Sequence, residues 1–477
     1  MKRLSNATLA QLPAGLDRPP RPLDHVGIVH FGPGAFHRAH QADYVDRVLD
    51  HDPRWGIAAV SLRTRGTIDA LAAQDGLYTL AIRDAASSMR IIAAHRRFLG
   101  PDDAAETHRL LADPAVGLVT TTVTEKGYCL VADGTLDLDH ADIVHDLAHR
   151  DVPRSVVGWI VAGLAARRAT GLAGFVPMPC DNLANNGAKL HAALVAFARR
   201  QDEGLADWIA GEMRVPSTMV DSITPASDDG LYADVAAALG AEDRAAVQRE
   251  AFAQWVIEDV GRPLGPDLAG AGAIVTDDVA GYEKAKLRIL NGAHSTLAYA
   301  GLLRQHVSVA DAMGDAVLAG FVDAMIRRDI MPMLPAVRGL DLDAYRAAVL
   351  ARFRNPAIVH RLDQIAQDGS QKLPYRLGDT LLANRAAGRM PGHVVAALGC
   401  WVAFVMRQAR AGTAIVDPAR DLATLASEGS AAEVVDRLVA AGIGIPRGVV
   451  DDAALLAVVK AAAAAAERGD WTVLLIG

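Results

Sequence analysis

The sequence predicts an α/β chain in two parts, an alternating strand–helix half followed by a mostly α-helical half. Three observations carry this. In the first half, short β-branched or apolar runs alternate with helical patterns, the signature of a parallel sheet with crossover helices. Beyond about residue 280, long helical patterns dominate. The 477 residues also exceed the size at which one hydrophobic core usually splits into two.

The elements follow in order. GIVHF (27–31) is a strand that runs into the glycine-rich turn GPGA and then the helical HRAHQADYVDRVLD. WGIAAVSL (55–62) is a second strand and GLVTTTVTE (117–125) a third, rich in Val and Thr. VVGWIVAGLAARRATG (156–171) reads as a helix ended by Gly171, and GFVPMPC (174–180) as a further strand. The second half brings the helical patterns AKLRILNGAHSTLAYAGLLRQ, DAVLAGFVDAMIRRDIMPML, LDAYRAAVLARF and HVVAALGCWVAFVMRQAR. TVLLIG at the end is a strand candidate. The change of texture places a boundary at 279–281, giving domains 1–279 and 280–477. No internal repeat interrupts either.

Bulk properties exclude several functions. Hydrophobic residues are 51% of the chain, too many for a disordered protein. The net charge of −8 argues against nucleic-acid binding, which needs a basic face. Cys129, Cys180 and Cys400 form neither a disulfide framework nor a C-x-x-C metal site. No apolar run of signal-peptide length opens the chain, and no uncharged apolar stretch reaches a membrane span of roughly 18 residues. The Ala-rich tract at 461–466 comes closest and reads as a surface helix. A cytoplasmic protein without membrane or nucleic-acid partners is expected. No oligomeric state is legible.

A strand, then G-x-G, then a helix is the pyrophosphate-binding turn of a Rossmann-type domain, in which the first glycine permits the turn and the second admits the cofactor. Gly32 and Gly34 fill those places, flanked by Pro33, Ala35 and Phe36, whereas His37 occupies the third glycine's position. The motif alone does not separate a cofactor cradle from a plain βα turn; its place on the first strand favours the cradle. Past the second strand, Arg63 and Arg65 precede any acid. They suit either a ribose 2′-phosphate or a solvated loop, leaving NADP open beside NAD. His37 and His40 have no thiol or carboxylate at ligand spacing, so packing or a substrate-side role outranks a metal.

In KLRILNGAHS, Lys286, Asn291 and His294 interrupt an apolar helix. At 100° per residue they fall at about 0°, 140° and 80°, on one side. Such a set suits hydride transfer at a secondary alcohol. A lysine, normally near pKa 10.4, becomes a useful acid–base group when burial beside a cationic cofactor ring lowers it. Amide donors stabilise the oxygen that gains charge. Tyr282 and Lys286 also match Y-x-x-x-K, the pair of short-chain dehydrogenases, but too far past the glycine turn, and the match is treated as accidental.

FGPGAFHRAHQA, TVTEKGYC, PCDN (179–182), TMVDSITPA (218–226), QWVIED, TDDVAGYEKAKLRILNGAHS and DGSQKLP (368–374) together resemble the polyol-specific long-chain dehydrogenase/reductase, or mannitol dehydrogenase, family over nearly the whole chain. The resemblance implies a zinc-independent, NAD-dependent oxidoreductase with no metal. It implies a dinucleotide-binding domain, a helical substrate domain and a site between them. It assigns Lys286 as the catalytic lysine, Asn182 and Asn291 as the oxyanion-hole amides and His294 as the active-site histidine. Asp221 and Lys372 become substrate contacts, and Glu125 a proton relay. Gly32 and Gly34 become the pyrophosphate turn. GRP (261–263) comes earlier than the family pattern, with LGPDL in its usual place, which alters that loop. The family's acidic ribose contact is missing as well.

Among family substrates, a sugar acid differs from a polyol by a carboxylate, which needs a cationic partner, best an arginine. Lys126, Arg361 and Arg376 are the candidates, each equally readable as surface charge. TVTEKGYC and DGSQKLP resemble the fructuronate-reducing branch, so reversible reduction of D-fructuronate to D-mannonate is expected, with mannitol or arabinitol dehydrogenation as the alternative.

Overall fold

The computed structural model describes residues 2–16 and 25–475, apart from the side chains of Glu125 and Val473. Contacts divide the chain into two units, Met1–Val279 and Ala280–Gly477.

The apolar runs of the first unit form a five-stranded parallel sheet. Its spatial order is His95–Leu99, Ile57–Val60, Ile28–Phe31, Leu118–Thr121, Val176–Pro179. The three strands Ile28–Phe31, Ile57–Val60 and Leu118–Thr121 are buried throughout, because helices cover both faces. Side chains alternate as the two-residue period requires. Val29 and Phe31 pack with Val157, Ile160 and Leu194 of the helices Val156–Ala169 and Asn186–Arg199. Ile28 packs on the opposite face with Val45 and Val48 of the helix Gln41–Val48. Phe31, Thr121 and Pro179 end level with one another, so the segments after them emerge at one edge. The strand order reverses between Ile28–Phe31 and Leu118–Thr121, where open α/β sheets bind ligands.

Besides a two-stranded pair of Lys2–Arg3 with Ala241–Glu242, two three-stranded sheets went unrecognised in the sequence. One pairs Tyr78–Arg83 with Ser88–Ile92 and Val247–Glu250. The other pairs Gln254–Glu258 with Thr218–Asp221 and Ile274–Thr276. Their polarity is mixed because buried ion pairs do part of the packing. Asp43 and Asp46, both under 2% exposed, hold Arg90 at 2.6 and 2.8 Å, and Asp43 also holds Arg249 at 3.0 Å.

The described residues of the second unit form helices. One continuous helix runs through Val279–Ala285, Lys286–Asn291 and Gly292–Leu303. From Gly292 to Gly301 every residue is buried, which is why this segment is apolar on all sides. It packs on Gly392–Arg410, which in turn packs on Ala453–Arg468.

Two expectations are corrected here. The Ala-rich tract does not lie free on the surface: Ala463, Ala465 and Ala466 are buried. Small residues are needed because a Cβ on Gly399 would sit 2.7 Å from the Ala462 backbone. Among the described residues, Gly392–Arg410 rather than the Ala-rich tract is the helix long and apolar enough to cross a membrane, and 72% of its apolar window is buried in the protein. Of TVLLIG, the described part, 472–475, is not a strand, and 476–477 lie outside the described residues. Trp471–Leu475 is helical, and no strand among the described residues of this unit offers it a partner, without which an extended segment leaves its backbone unpaired.

Candidate active site

The glycine turn is shaped by its neighbours. Gly32 has φ +90°, and a Cβ there would lie 2.6 Å from the Thr122 carbonyl oxygen. Only glycine combines that conformation with that approach. The Gly32 carbonyl accepts from Thr122 Oγ1 at 2.7 Å and from the Gly34 amide at 2.7 Å. Gly34 differs: the nearest atom to its hypothetical Cβ is 3.9 Å away. The fold does not demand glycine there, and the missing side chain leaves the space a pyrophosphate backbone approach requires. The residues present therefore fit a dinucleotide.

Below the turn lies a histidine stack. His30 Nδ1 is 2.7 Å from Thr120 Oγ1, and Nε2 is 3.2 Å from the Gly32 carbonyl and 3.0 Å from Thr122 Oγ1. The carbonyl can only accept, so Nε2 carries the proton. His37 stacks on His30 with centroids 3.4 Å apart, and its Nε2 lies 3.1 Å from His95 Nε2. Burial drives all three to low pKa, His30 to about 3. His37 thus fills the third glycine's place by packing helix to strand. His40 turns elsewhere, with Nε2 3.0 Å from the Gln254 carbonyl, so HRAH does not form a ligand pair. Pro33 is buried in the turn, and Ala35 and Phe36 begin the short helix Ala35–Ala39, with Phe36 stacked on His40 at 5.0 Å.

Two other edge segments are locked to the sheet. Tyr128 is buried and donates to Asp181, joining TEKGY to PCDN. Asp181 Oδ1 accepts from the Leu183 amide at 3.0 Å, an Asx turn that leaves Asn182 exposed at its tip. Asn186 ties this segment to TMVD, accepting from the Thr218 amide at 2.9 Å and donating to the Thr218 carbonyl at 3.1 Å. Asp221, 4% exposed, ends that strand.

In the second unit, Lys286–Asn291 is a π-helical turn within an otherwise α-helical run. The 100° spacing assumed from sequence does not hold there: i→i+5 bonding turns Lys286 and Asn291 toward the same face. Both are partly buried. His294 is 7% exposed, stacked on Phe353 at 4.4 Å with its edge to His360 at 4.8 Å. Its Nε2 is buried without a protein partner. Burial, then the nearby His360, Arg352 and Arg376, hold its pKa well below 6.5, so the ring is neutral. Tyr282 is buried and donates to the Arg338 carbonyl at 3.2 Å, a core role at odds with a short-chain-type tyrosine.

Other candidate residues are engaged locally. Lys372 donates to the Gln367 carbonyl at 2.8 Å and pairs with Asp368 at 3.3 Å. Arg361 is exposed and forms a fork to Asp363 at 3.0 and 2.6 Å. Arg63, just past the second strand, holds Asp142 at 2.6 Å and is 66% exposed. Lys126 is exposed in the turn Glu125–Tyr128, and the Glu125 side chain lies outside the described residues.

Cys129, His140 and Asp142 have potential ligand atoms within 4.8 Å of one another. However, Asp142 binds Arg63, and His140 Nδ1 accepts from the Asp142 amide at 3.2 Å. Burial and nearby carboxylates push the Cys129 thiol up to about 11, so it is not a thiolate at neutral pH.

Sequence reasoning missed the π-helical turns. Ile326–Ile330 and Pro374–Gly378 are two more, and both pack against Lys286–Asn291. Pro374 is the one available signal, since a helix must accommodate its missing N–H. Phe353, His360 and Ser295 gave no local signal at all.

Comparison with known proteins matches both halves of the chain. Residues 26–266 match the mannitol dehydrogenase Rossmann domain, and residues 278–464 the mannitol dehydrogenase C-terminal domain. D-mannonate oxidoreductase of Escherichia coli (strain K12) is 40% identical over 401 residues, 82% of each chain. Among solved structures, a substrate-free D-sorbitol dehydrogenase matches with TM-score 0.91 and 31% identity, over 99% of this chain and 100% of that one. Pseudomonas fluorescens mannitol 2-dehydrogenase, in ternary complex with NAD and D-mannitol, matches with TM-score 0.83 and 33% identity, over 99% of both. With a Rossmann-like N-terminal domain and a mostly helical C-terminal domain both matched, the chain belongs to the mannitol dehydrogenase family of oxidoreductases.

Proposed function

We propose that this chain is an NAD-dependent secondary-alcohol dehydrogenase that interconverts D-fructuronate and D-mannonate. The observation that carries the chemistry is the π-helical turn, which turns Lys286 and Asn291 toward one face, followed by His294 with its buried, unpartnered Nε2. Bound nicotinamide supplies or accepts the hydride. In the reducing direction, the Lys286 ammonium gives its proton to the substrate carbonyl oxygen, and in the oxidising direction the amine takes it back. The Asn291 amide donates to that oxygen as it gains charge, and the resemblance gives Asn182 the same role. His294, neutral, pairs its orphaned Nε2 with a substrate hydroxyl. In the first domain, Gly32 through Phe36 hold the pyrophosphate, and Arg63 stands where the ribose contact is expected. Asp221 and Lys372 are assigned to substrate hydroxyls, and Glu125 to proton relay.

The sugar-acid substrate is supported by the 40% identity to D-mannonate oxidoreductase. Oxidation of mannitol or arabinitol is the second reading, favoured by the likeness to mannitol 2-dehydrogenase. Nicotinamide absorbance with NADH and with NADPH, offering fructuronate, tagaturonate, fructose and xylulose, decides between them. Strong turnover of fructose and none of fructuronate would replace the first reading with the second.

A further inference from the structure

Partly buried arginines in the second unit usually hold a carboxylate. Arg304 pairs with Asp315 at 2.5 Å, Arg385 with Asp452 at 2.7 Å, and Arg346 with Asp323. Arg376 departs from this. It lies in the π-helical turn Pro374–Gly378, packed on the turn that carries Lys286 and Asn291. Its carbonyl oxygen comes within 3.2 Å of a Cβ built on Gly292. Its side chain reaches the residue next to His294: Nη1 donates to the buried Ser295 hydroxyl at 3.1 Å. That bond uses one of five guanidinium N–H groups. Nε is buried with no acceptor, and no carboxylate among the described residues lies within ion-pair distance of it. Asp368, the carboxylate whose field reaches Arg376, is paired with Lys372 at 3.3 Å.

Arg376 is partly buried, and a guanidinium whose Nε is shut off from water with no countercharge is unfavourable unless a ligand supplies one. We propose that Arg376 is the carboxylate-holding, specificity-determining residue of this site, with Ser295 fixing the guanidinium so that its remaining N–H groups face a sugar-acid carboxylate. Ser295 lies nine residues past Lys286 on the same continuous helix. On this assignment Lys286 serves the reacting carbonyl as proton donor, and Arg376 takes the carboxylate end of the same substrate. Arg361 does not compete for this role, since its fork already grips Asp363. The inference rests on the dehydrogenase reading above and deepens it by naming the residue that takes the substrate's carboxylate.

The test compares Arg376→Gln, Arg376→Lys and the wild type with fructuronate and with fructose, NADH being varied in parallel. For Arg376→Gln, kcat/KM for fructuronate should fall roughly 10²-fold, with the loss mainly in KM. For fructose it should change less than roughly threefold, and the KM for NADH should hold. Arg376→Lys should recover part of the loss, because the charge returns without the planar fork. Equal losses on both substrates, or a raised KM for NADH instead, would overturn the assignment while leaving the dehydrogenase reading intact. Wild-type enzyme that turns over none of fructuronate, tagaturonate, fructose and xylulose would overturn both. Should the glutamine variant not fold, the wild type still decides: acetate, against chloride at equal ionic strength, should raise the KM for fructuronate and not for fructose. An equal effect on both, or none, counts against Arg376.

Discussion

Lowering the pH from 7 to 5 should destabilise the Rossmann-like domain, and His30 makes the effect calculable. Its ring is fully buried, bonded to Thr120 on one side and to Gly32 and Thr122 on the other. Burial lowers its pKa to about 3, whereas in the unfolded chain it stays near 6.5. At pH 5 the unfolded chain has taken a proton that the folded one refuses. The stability contributed by the neutral ring is complete above about pH 6.5 and is lost as pH falls toward 3. At pH 5 the difference of about 1.5 units, at roughly 1.36 kcal/mol per unit, gives about 2 kcal/mol for His30 alone. His37 and His95 are displaced in the same direction by burial and by their histidine and arginine neighbours, so the stack loses more than one ring's share. Domains have only about 5–15 kcal/mol to lose. Urea unfolding followed by tryptophan fluorescence at pH 7 and pH 5 measures it. His30→Gln keeps an amide donor and acceptor but does not titrate, and should lose about 2 kcal/mol less than wild type over this window. An identical pH dependence in the two proteins would refute the reasoning.

Further outcomes are expected. Lys286→Ala should remove most turnover, roughly 10²-fold or more, while NADH still binds by fluorescence titration; unchanged turnover would remove the lysine from the chemistry. Gly32→Ala should destabilise by roughly 1–3 kcal/mol, since its Cβ meets the Thr122 carbonyl. Gly34→Val should leave the melting temperature nearly unchanged and weaken NADH binding, because its space is open to ligand rather than to the fold. Tyr282→Phe should lower stability by about 1 kcal/mol through loss of the bond to the Arg338 carbonyl and leave kcat within roughly twofold; loss of kcat would revive the short-chain-type pair. Dialysis against a chelator should leave activity unchanged, and its loss would point to a metal.

Much of the fold was legible because its signals are local. GIVHF, WGIAAV, GLVTT and GFVPMP carry no charged residue and are mostly apolar, as strands covered on both faces must be, with the polar His30, Thr120 and Thr121 bonded to partners. The long apolar patterns after residue 280 are helices for a similar reason, since a helix in the middle of a bundle has no face to leave polar. The hairpin Tyr78–Ile92 was illegible because its packing rests on Arg90 meeting Asp43 and Asp46, more than 40 residues away in sequence. TVLLIG misled because a six-residue apolar run satisfies strand and helix alike until neighbours decide.

At the candidate site the division is sharper. Residue identity alone put Lys286, Asn291 and His294 on one helix and Gly32 at the turn, since spacing along one element is written in the chain. Tertiary structure alone decided which face they share, through a π-helical turn that no propensity marks. It also separated Arg361 from Arg376. In sequence both are arginines near DGSQKLP; in space one meets Asp363 and is neutralised, while the other meets only a serine hydroxyl. Charge compensation depends on what lies within a few ångströms, and that distance is set by packing between segments far apart in the chain.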